Sequence, residues 1–211
     1  EAFGDSDLFE IYGEKLENAL NLKAYTFASQ YIENINGQSF ESHILPQLAQ
    51  VSSINAILVN DYDGNQKKDI LIAGNLFGSE IETPRNDSGV GLLLSGDGSG
   101  NFSSGSNITT DVHQTYSLSV VDVDGDNDLD VVAGNDGQIN RLYLGDGSGG
   151  FSSGTAIGPS ADKTRSMGLA DVDGDGDLDL LVGNSGQPNR LYLSNGSGVF
   201  SSFTNSKFKS W

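Results

Sequence analysis

A stretch of 32 residues beginning at Asp122, DVDGDNDLDVVAGNDGQINRLYLGDGSGGFSS, recurs at Asp171 as DVDGDGDLDLLVGNSGQPNRLYLSNGSGVFSS, with 23 identities, no gap and an offset of 49 residues. A more divergent copy opens at Asp61 with DYDGNQKKDILIAGN and closes with GLLLSGDGSGNFSSG, carrying an insertion near Ser79–Ser88. The closing aromatics Phe102, Phe151 and Phe200 keep the 49-residue step twice. Upstream, YIENINGQSF over Tyr31–Phe40 resembles the closing half alone, so an incomplete fourth unit precedes three full ones. A period of this length is too long for leucine-rich or ankyrin units and fits a four-stranded propeller blade. Units of this kind cannot bury their faces alone and need neighbours.

Within each unit the pattern is that of strands. SLSVVDV before the Asp cluster, LDVVAG after it and NRLYL further on are short, β-branched or aromatic, and bounded by Gly, Asn and Asp. Asp146-Gly147 and Asn195-Gly196 open the DGSGGF and NGSGVF turns with pairs that tolerate positive φ in tight hairpins. FSSGTAIG supplies a weaker fourth strand. The expected fold is all-β, built of propeller-type blades: three full four-stranded repeats plus one partial. Leu8, Ile11, Tyr12, Leu16, Ala19 and Leu20 recur at helical spacing, which predicts one short amphipathic helix over residues 7–20, its apolar face lying on a sheet edge. The expected organisation is a single array: a helical segment 1–23, a partial blade 24–50, a blade with an insertion 51–110, and blades 111–159 and 160–211. Four units leave three arrangements open: a compact ring, an arc cut from a larger propeller, or an open array completed by other copies.

Composition supports a turn-rich folded chain. Apolar residues are only 36%, but 28 of the 211 residues are Gly, and the two together approach the roughly 45–50% usual for globular chains. Eleven basic residues against 29 acidic ones give a net charge of −18, which argues against a nucleic-acid partner, since that binding rests on clustered Lys and Arg. No apolar run approaches the roughly 20 residues of a membrane span, so no membrane insertion is expected. Cys is absent, which removes thiol nucleophiles and thiolate zinc sites. The chain begins at Glu1 without a signal-like segment and reads as a processed or excised product.

The pattern D-x-D-x-[DN]-x-x-x-D occurs three times. Its side-chain positions are Asp61, Asp63, Asn65 and Asp69 in the first full unit, Asp122, Asp124, Asp126 and Asp130 in the second, and Asp171, Asp173, Asp175 and Asp179 in the third. Alternate residues of a tight loop direct oxygens to one centre, and the last Asp returns from the following strand. Position seven, Lys67, Asp128 or Asp177, would add a backbone carbonyl. Four carboxylates within a few ångströms repel one another unless a cation lies between them or some are protonated. Hard all-oxygen ligands in a flexible loop suit Ca²⁺, which accepts six to eight oxygens at about 2.3–2.6 Å, better than Mg²⁺. An EF-hand is excluded, because position twelve is Ile72, Ala133 or Val182 instead of a bidentate Glu.

DVDGDGDLDLLVGN followed by NRLYLSNGSGVF resembles the FG-GAP/VCBS repeat, the blade unit of integrin α-type β-propellers and of many secreted bacterial proteins. The resemblance extends over about residues 24–211 and implies Ca²⁺ in each hairpin loop joining a blade's first two strands, held by the residues named above. It also implies roles in adhesion, recognition or display. Asn65 in place of an acid, with Lys67 and Lys68 beside it, makes the Asp61 site the weakest of about three. Propellers of that family usually close with about seven blades, more than this chain supplies.

Other signals are weaker. GDGSGG at 145–150 matches a dinucleotide fingerprint but no helix follows it, and a hairpin turn explains it. Arg141 and Arg190, in identical NRLYL contexts, are each expected to pair with a neighbouring carboxylate. His43 and His113 lie in unrelated contexts with no partnered Ser or Asp motif, so no catalytic role is assigned and the chain reads as a non-enzyme. The expected function is a calcium-binding extracellular or cell-surface scaffold for adhesion or recognition, its partner a protein or glycan ligand. Two alternatives stand beside it: a self-assembling subunit of an extracellular filament or surface layer, its partners other copies of itself, and a propeller accessory to a secreted carbohydrate-active enzyme.

Overall fold

The computed structural model describes residues 13–16, 25–75 and 91–203. The helix expected over 7–20 lies largely outside them; its described part, Gly13–Leu16, is one 3₁₀ turn. The insertion near Ser79–Ser88 also lies outside the described residues.

All described sheets are antiparallel, and each follows chain order strand by strand. The partial unit is a hairpin of β1 (Gln30–Ile35) and β2 (Ser39–Ile44), followed by a 3₁₀ turn at Gln47–Gln50. The first full unit comprises β3 (Ala56–Asn60), β4 (Asp69–Ala73), β5 (Leu92–Leu94) and β6 (Ser106–Asn107). The second comprises β7 (Thr115–Val121), β8 (Asp130–Asn135), β9 (Arg141–Tyr143) and β10 (Thr155–Ala156). The third comprises β11 (Thr164–Ala170), β12 (Asp179–Asn184), β13 (Arg190–Ser194) and β14 (Phe200–Ser202). The blade reading is borne out, including the half unit and the weak fourth strand, which is only two residues long in β6 and β10.

The sheets stack face to face, and the two-residue side-chain period of a strand decides which residues serve which junction. On β8, Val131 and Ala133 turn back onto Tyr62, Leu71 and Leu93 of the first full sheet. Val132, between them, turns forward onto Leu180, Val182 and Tyr192 of the third. On β4, Ile70 and Ile72 meet Leu45 and Ala49, which the Gln47–Gln50 turn carries across from the half unit. β4 and β8 are therefore buried on both faces, which accounts for their continuous apolar runs, whereas β12 leaves Leu181 exposed.

A second framework is polar. The asparagine closing each second strand reads in sequence as punctuation, but the structure buries Asn75 and Asn135 and leaves Asn184 partly covered. Asn135 Nδ2 donates to the Ile139 carbonyl at 2.8 Å, and its Oδ1 accepts from the Thr115 hydroxyl at 2.8 Å. Asn184 repeats this with Pro188 and Thr164, while Asn75 reaches the His113 carbonyl at 2.7 Å. These bonds satisfy backbone groups where the chain leaves one strand for the next.

The described units do not close into a ring. The hairpin's outer face and the last sheet's outer face both expose large apolar side chains, Ile32 and Ile44 on one and Leu181 on the other.

Candidate metal centres

Each hairpin loop between a unit's first two strands begins where β3, β7 or β11 ends and returns into β4, β8 or β12. The first Asp folds the loop around itself. Asp122 accepts from the Gly125 amide at 2.7 Å and from the Asn127 amide at 2.9 Å. Asp171 does the same with Gly174 at 2.7 Å and Gly176 at 3.1 Å. These bonds require left-handed backbone at position four, which Gly125 and Gly174 adopt at φ +80° and +84°.

The last Asp is a buried strut. Asp130 accepts from the Val123 amide at 2.8 Å and, across the sheet, from the Gly145 amide at 2.9 Å. Asp69 makes the corresponding bonds to Tyr62 and Gly96, and Asp179 to Val172 and Ser194. Each strut fixes its loop to the end of the unit's third strand.

The consequence is convergence of carboxylates. Asp61, Asp63 and Asp69 bring one oxygen each within 4.8 Å of one another, as do Asp122, Asp124 and Asp130, and Asp171, Asp173 and Asp179. In the second and third clusters some of these carboxyls are held above their usual range. Desolvation, followed by the neighbouring charges of Asp126 and Asp122, raises the Asp124 carboxyl above its usual range. Burial raises Asp130 against the opposing pull of its two amide donors. Asp173 is raised by desolvation within the loop and then by the Asp175 charge.

Position five borders the cluster. Asp126 Oδ1 accepts from the Asp128 amide at 2.8 Å, Asp175 from the Asp177 amide at 3.0 Å, and Asn65 from the Lys67 amide at 2.8 Å. The position-seven side chains turn toward the unit's own third turn: a Cβ at Gly147 or Gly196 would collide with the carboxylate of Asp128 or Asp177. The first loop departs from the others. Asp61 reaches the amides of Asn65 and Gln66 instead of that of Gly64. Gln66 sits at φ +66° without the glycine or asparagine that usually occupies this conformation, a cost of roughly 1–2 kcal/mol.

The two arginines diverge. Arg190 Nε pairs with Asp162 at 2.5 Å, as expected. Arg141 has no carboxylate within ion-pair distance among the described residues, because His113 occupies the place of Asp162 one repeat earlier. Its buried Nε lacks a hydrogen-bond partner, and Nη1 reaches only the Gly154 carbonyl at 3.4 Å. Arg141 lines a cleft of about 710 Å³ with Thr109, Asp111, Phe151 and Ser152. Sequence reasoning passed over this cleft, whose walls come from two different units. Arg165, also unremarked, ties the third unit to the second by an ion pair to Asp136 at 3.0 Å and by lying 4.3 Å from the Tyr116 ring centre.

Residues 61–133, 122–182 and 171–210 match the FG-GAP-like repeat, and the chain belongs to that family. Among solved structures it is similar to a lectin of Agrocybe aegerita described for specific recognition of non-reducing terminal N-acetylglucosamine, at 18% identity and a TM-score of 0.41. That likeness covers 81% of this chain and 58% of the lectin chain, so the chain spans less than two thirds of that protein. No curated protein matches it.

Proposed function

We propose that this FG-GAP-like chain is a calcium-stabilised, non-enzymatic recognition scaffold that works outside the cell. The observation that carries the reading is the threefold convergence of Asp carboxylates at one point of each unit. The donor set is all oxygen and strongly anionic, on loops that join adjacent strands. Asp122, Asp124 and Asp130 hold one ion, Asp171, Asp173 and Asp179 a second, and Asp61, Asp63 and Asp69 a third and weaker one. The bound ion supplies charge neutralisation and cross-links the two strands of each hairpin. Hard, irregular oxygen cages favour Ca²⁺ over Mg²⁺, which holds its waters and an octahedron. Extracellular modules of this kind bind in the range of about 10⁻⁴–10⁻³ M, which external calcium fills.

The recognition reading draws on the cleft between the first two full units. Its unpaired Arg141, the Asp111 carboxylate, the Thr109 and Ser152 hydroxyls and the Phe151 ring are groups that bind glycans or polar protein loops. The non-enzyme reading rests on the sequence, in which neither His43 nor His113 belongs to a partnered Ser or Asp motif.

Titration calorimetry on chelator-treated protein tests the metal assignment: about three calcium sites, two tighter than the third, with magnesium bound more weakly. Absence of calcium binding, or preference for magnesium, refutes it. Glycan-array binding that Arg141→Ala abolishes supports recognition at the cleft.

A further inference from the structure

We propose that the cleft between the first two full units binds a carboxylate-bearing sugar, Arg141 pairing with the ligand's carboxylate as Arg190 pairs with Asp162 in the third unit. The inference rests on recognition at that cleft and narrows it to one class of ligand.

The two units differ at one point of a repeated setting. Arg141 and Arg190 each open an RLYL stretch on the third strand of their unit, after a second strand that ends in Asn. In the third unit Asp162 accepts from Arg190 Nε at 2.5 Å and gives the guanidinium an internal partner. The residue 49 positions before Asp162 is His113. It is half-buried, and burial lowers its imidazole below the usual range against the opposing charge of Asp111, so at neutral pH it offers Arg141 no anion. Arg141 therefore keeps unused donors. Its Nε is buried with no hydrogen-bond partner among the described residues, and Nη1 has only the long contact to the Gly154 carbonyl. An unsatisfied donor of a charged group is costly, and a carboxylate matches the guanidinium fork.

The rest of the wall selects among carboxylates. Among the described residues Asp111, half-buried in the same cleft, accepts no hydrogen bond on its carboxylate and pairs with no cation. It stands beyond ion-pair distance of Arg141, so neither group satisfies the other. A uronic acid combines what both lack: an anionic end for Arg141 and hydroxyl donors for Asp111. An acidic peptide side chain brings the carboxylate without those donors. Phe151 adds an apolar surface and Ser152 a hydroxyl, and the volume of about 710 Å³ falls in the roughly 300–1,000 Å³ range of small-molecule sites. The chain's net charge of −18 gives an anion no general attraction, so uronate binding is a local property of Arg141 or of a bound cation.

The test is titration of the 211-residue chain, in calcium, with methyl glucuronide and with methyl glucoside, which lacks the carboxylate, read by calorimetry and NMR chemical shifts. Arg141→Gln removes the cation, and His113→Asp installs the internal carboxylate that the third unit has. Wild type should bind the glucuronide roughly tenfold or more tighter than the glucoside, the size of one charge-assisted hydrogen bond. Arg141→Gln should reduce the glucuronide to the level of the glucoside, and His113→Asp should do the same by occupying Arg141. Should His113→Asp melt early, Arg141→Gln and the matched sugars decide alone. Equal binding of both sugars, lost together in Arg141→Gln, overturns this inference and leaves glycan recognition at the cleft standing. Glucuronide binding that survives Arg141→Gln, as binding through calcium would, overturns it too. A glutamate-containing peptide bound in place of the glucuronide overturns the sugar and leaves recognition of protein. Binding of none of these probes overturns the inference and the recognition reading together.

Discussion

Two carboxylates of one cage have different dependences on the ion, and substituting them separately isolates the metal's contribution. Asp130 is a strut as well as a ligand: replacing it with Ala leaves the Val123 amide and the partly covered Gly145 amide without acceptors. Losing two such partners costs roughly 2–4 kcal/mol. For a chain of 211 residues that lowers the melting temperature by roughly 4–16 °C, with or without calcium. Asp124 accepts only a long bond from the Asp126 amide, at 3.3 Å, and Asn in its place keeps that oxygen. In EDTA, Asp124→Asn should therefore stay within about 0.5 kcal/mol of wild type, or gain slightly as repulsion from Asp122 and Asp126 is relieved. In calcium the same change weakens the site, and each tenfold loss of affinity removes ~1.4 kcal/mol, roughly 3–6 °C. Full occupancy at a hundredfold excess over the dissociation constant contributes ~2.7 kcal/mol per site, which bounds the effect. Scanning calorimetry of the three proteins, with calcium and with chelator, gives the comparison. If Asp124→Asn lowers the melting temperature equally in both conditions, or calcium does not raise that of wild type, the reasoning fails.

Other expectations follow from the same geometry. Asp171→Asn should remove more of the calcium-induced rise in melting temperature than Asp61→Asn, because the Asp61 loop has two acids fewer and a strained Gln66; equal losses would contradict this. Asn135→Ala, which strips partners from the Ile139 carbonyl and the Thr115 hydroxyl, should destabilise by about 1–3 kcal/mol irrespective of calcium, measured by urea unfolding. The pH profile should have two limbs. Asp124, Asp130 and Asp173 are raised in the folded state, so in EDTA they favour folding at low pH and this contribution is lost as the pH climbs above the ordinary carboxylate range. Asp97, held low by the Asn101 amide and then the Ser99 backbone amide and hydroxyl, and Asp146, held low by Ser148, stabilise above about pH 4 and lose that effect below it. Apo protein should therefore be most stable in mildly acidic solution, and calcium should flatten the upper limb; melting temperature against pH in EDTA and in calcium reads both.

Much of this molecule is legible in its residues because repetition and short-range geometry leave little freedom. The spacing of Asp122, Asp124 and Asp130 places their oxygens together wherever a tight hairpin joins two strands, and the structure brings that trio together in all three units. The alternation of Val131, Val132 and Ala133 on β8 likewise commits successive side chains to opposite faces. What the residues do not reveal is which groups meet across units. Arg141 and Arg190 have identical neighbours in sequence, yet one finds Asp162 and the other does not, because their partners come from connecting segments that differ between repeats. Leu181 and Val132 are likewise interchangeable as letters, and only the presence or absence of a following sheet makes one exposed and the other buried. Local pattern determined the strands, the loops and the carboxylate clusters, since those depend on atoms a few residues apart. Tertiary structure decided the cleft and the struts running from Asp130 to Gly145, since each depends on which surfaces and strands the stack brings together.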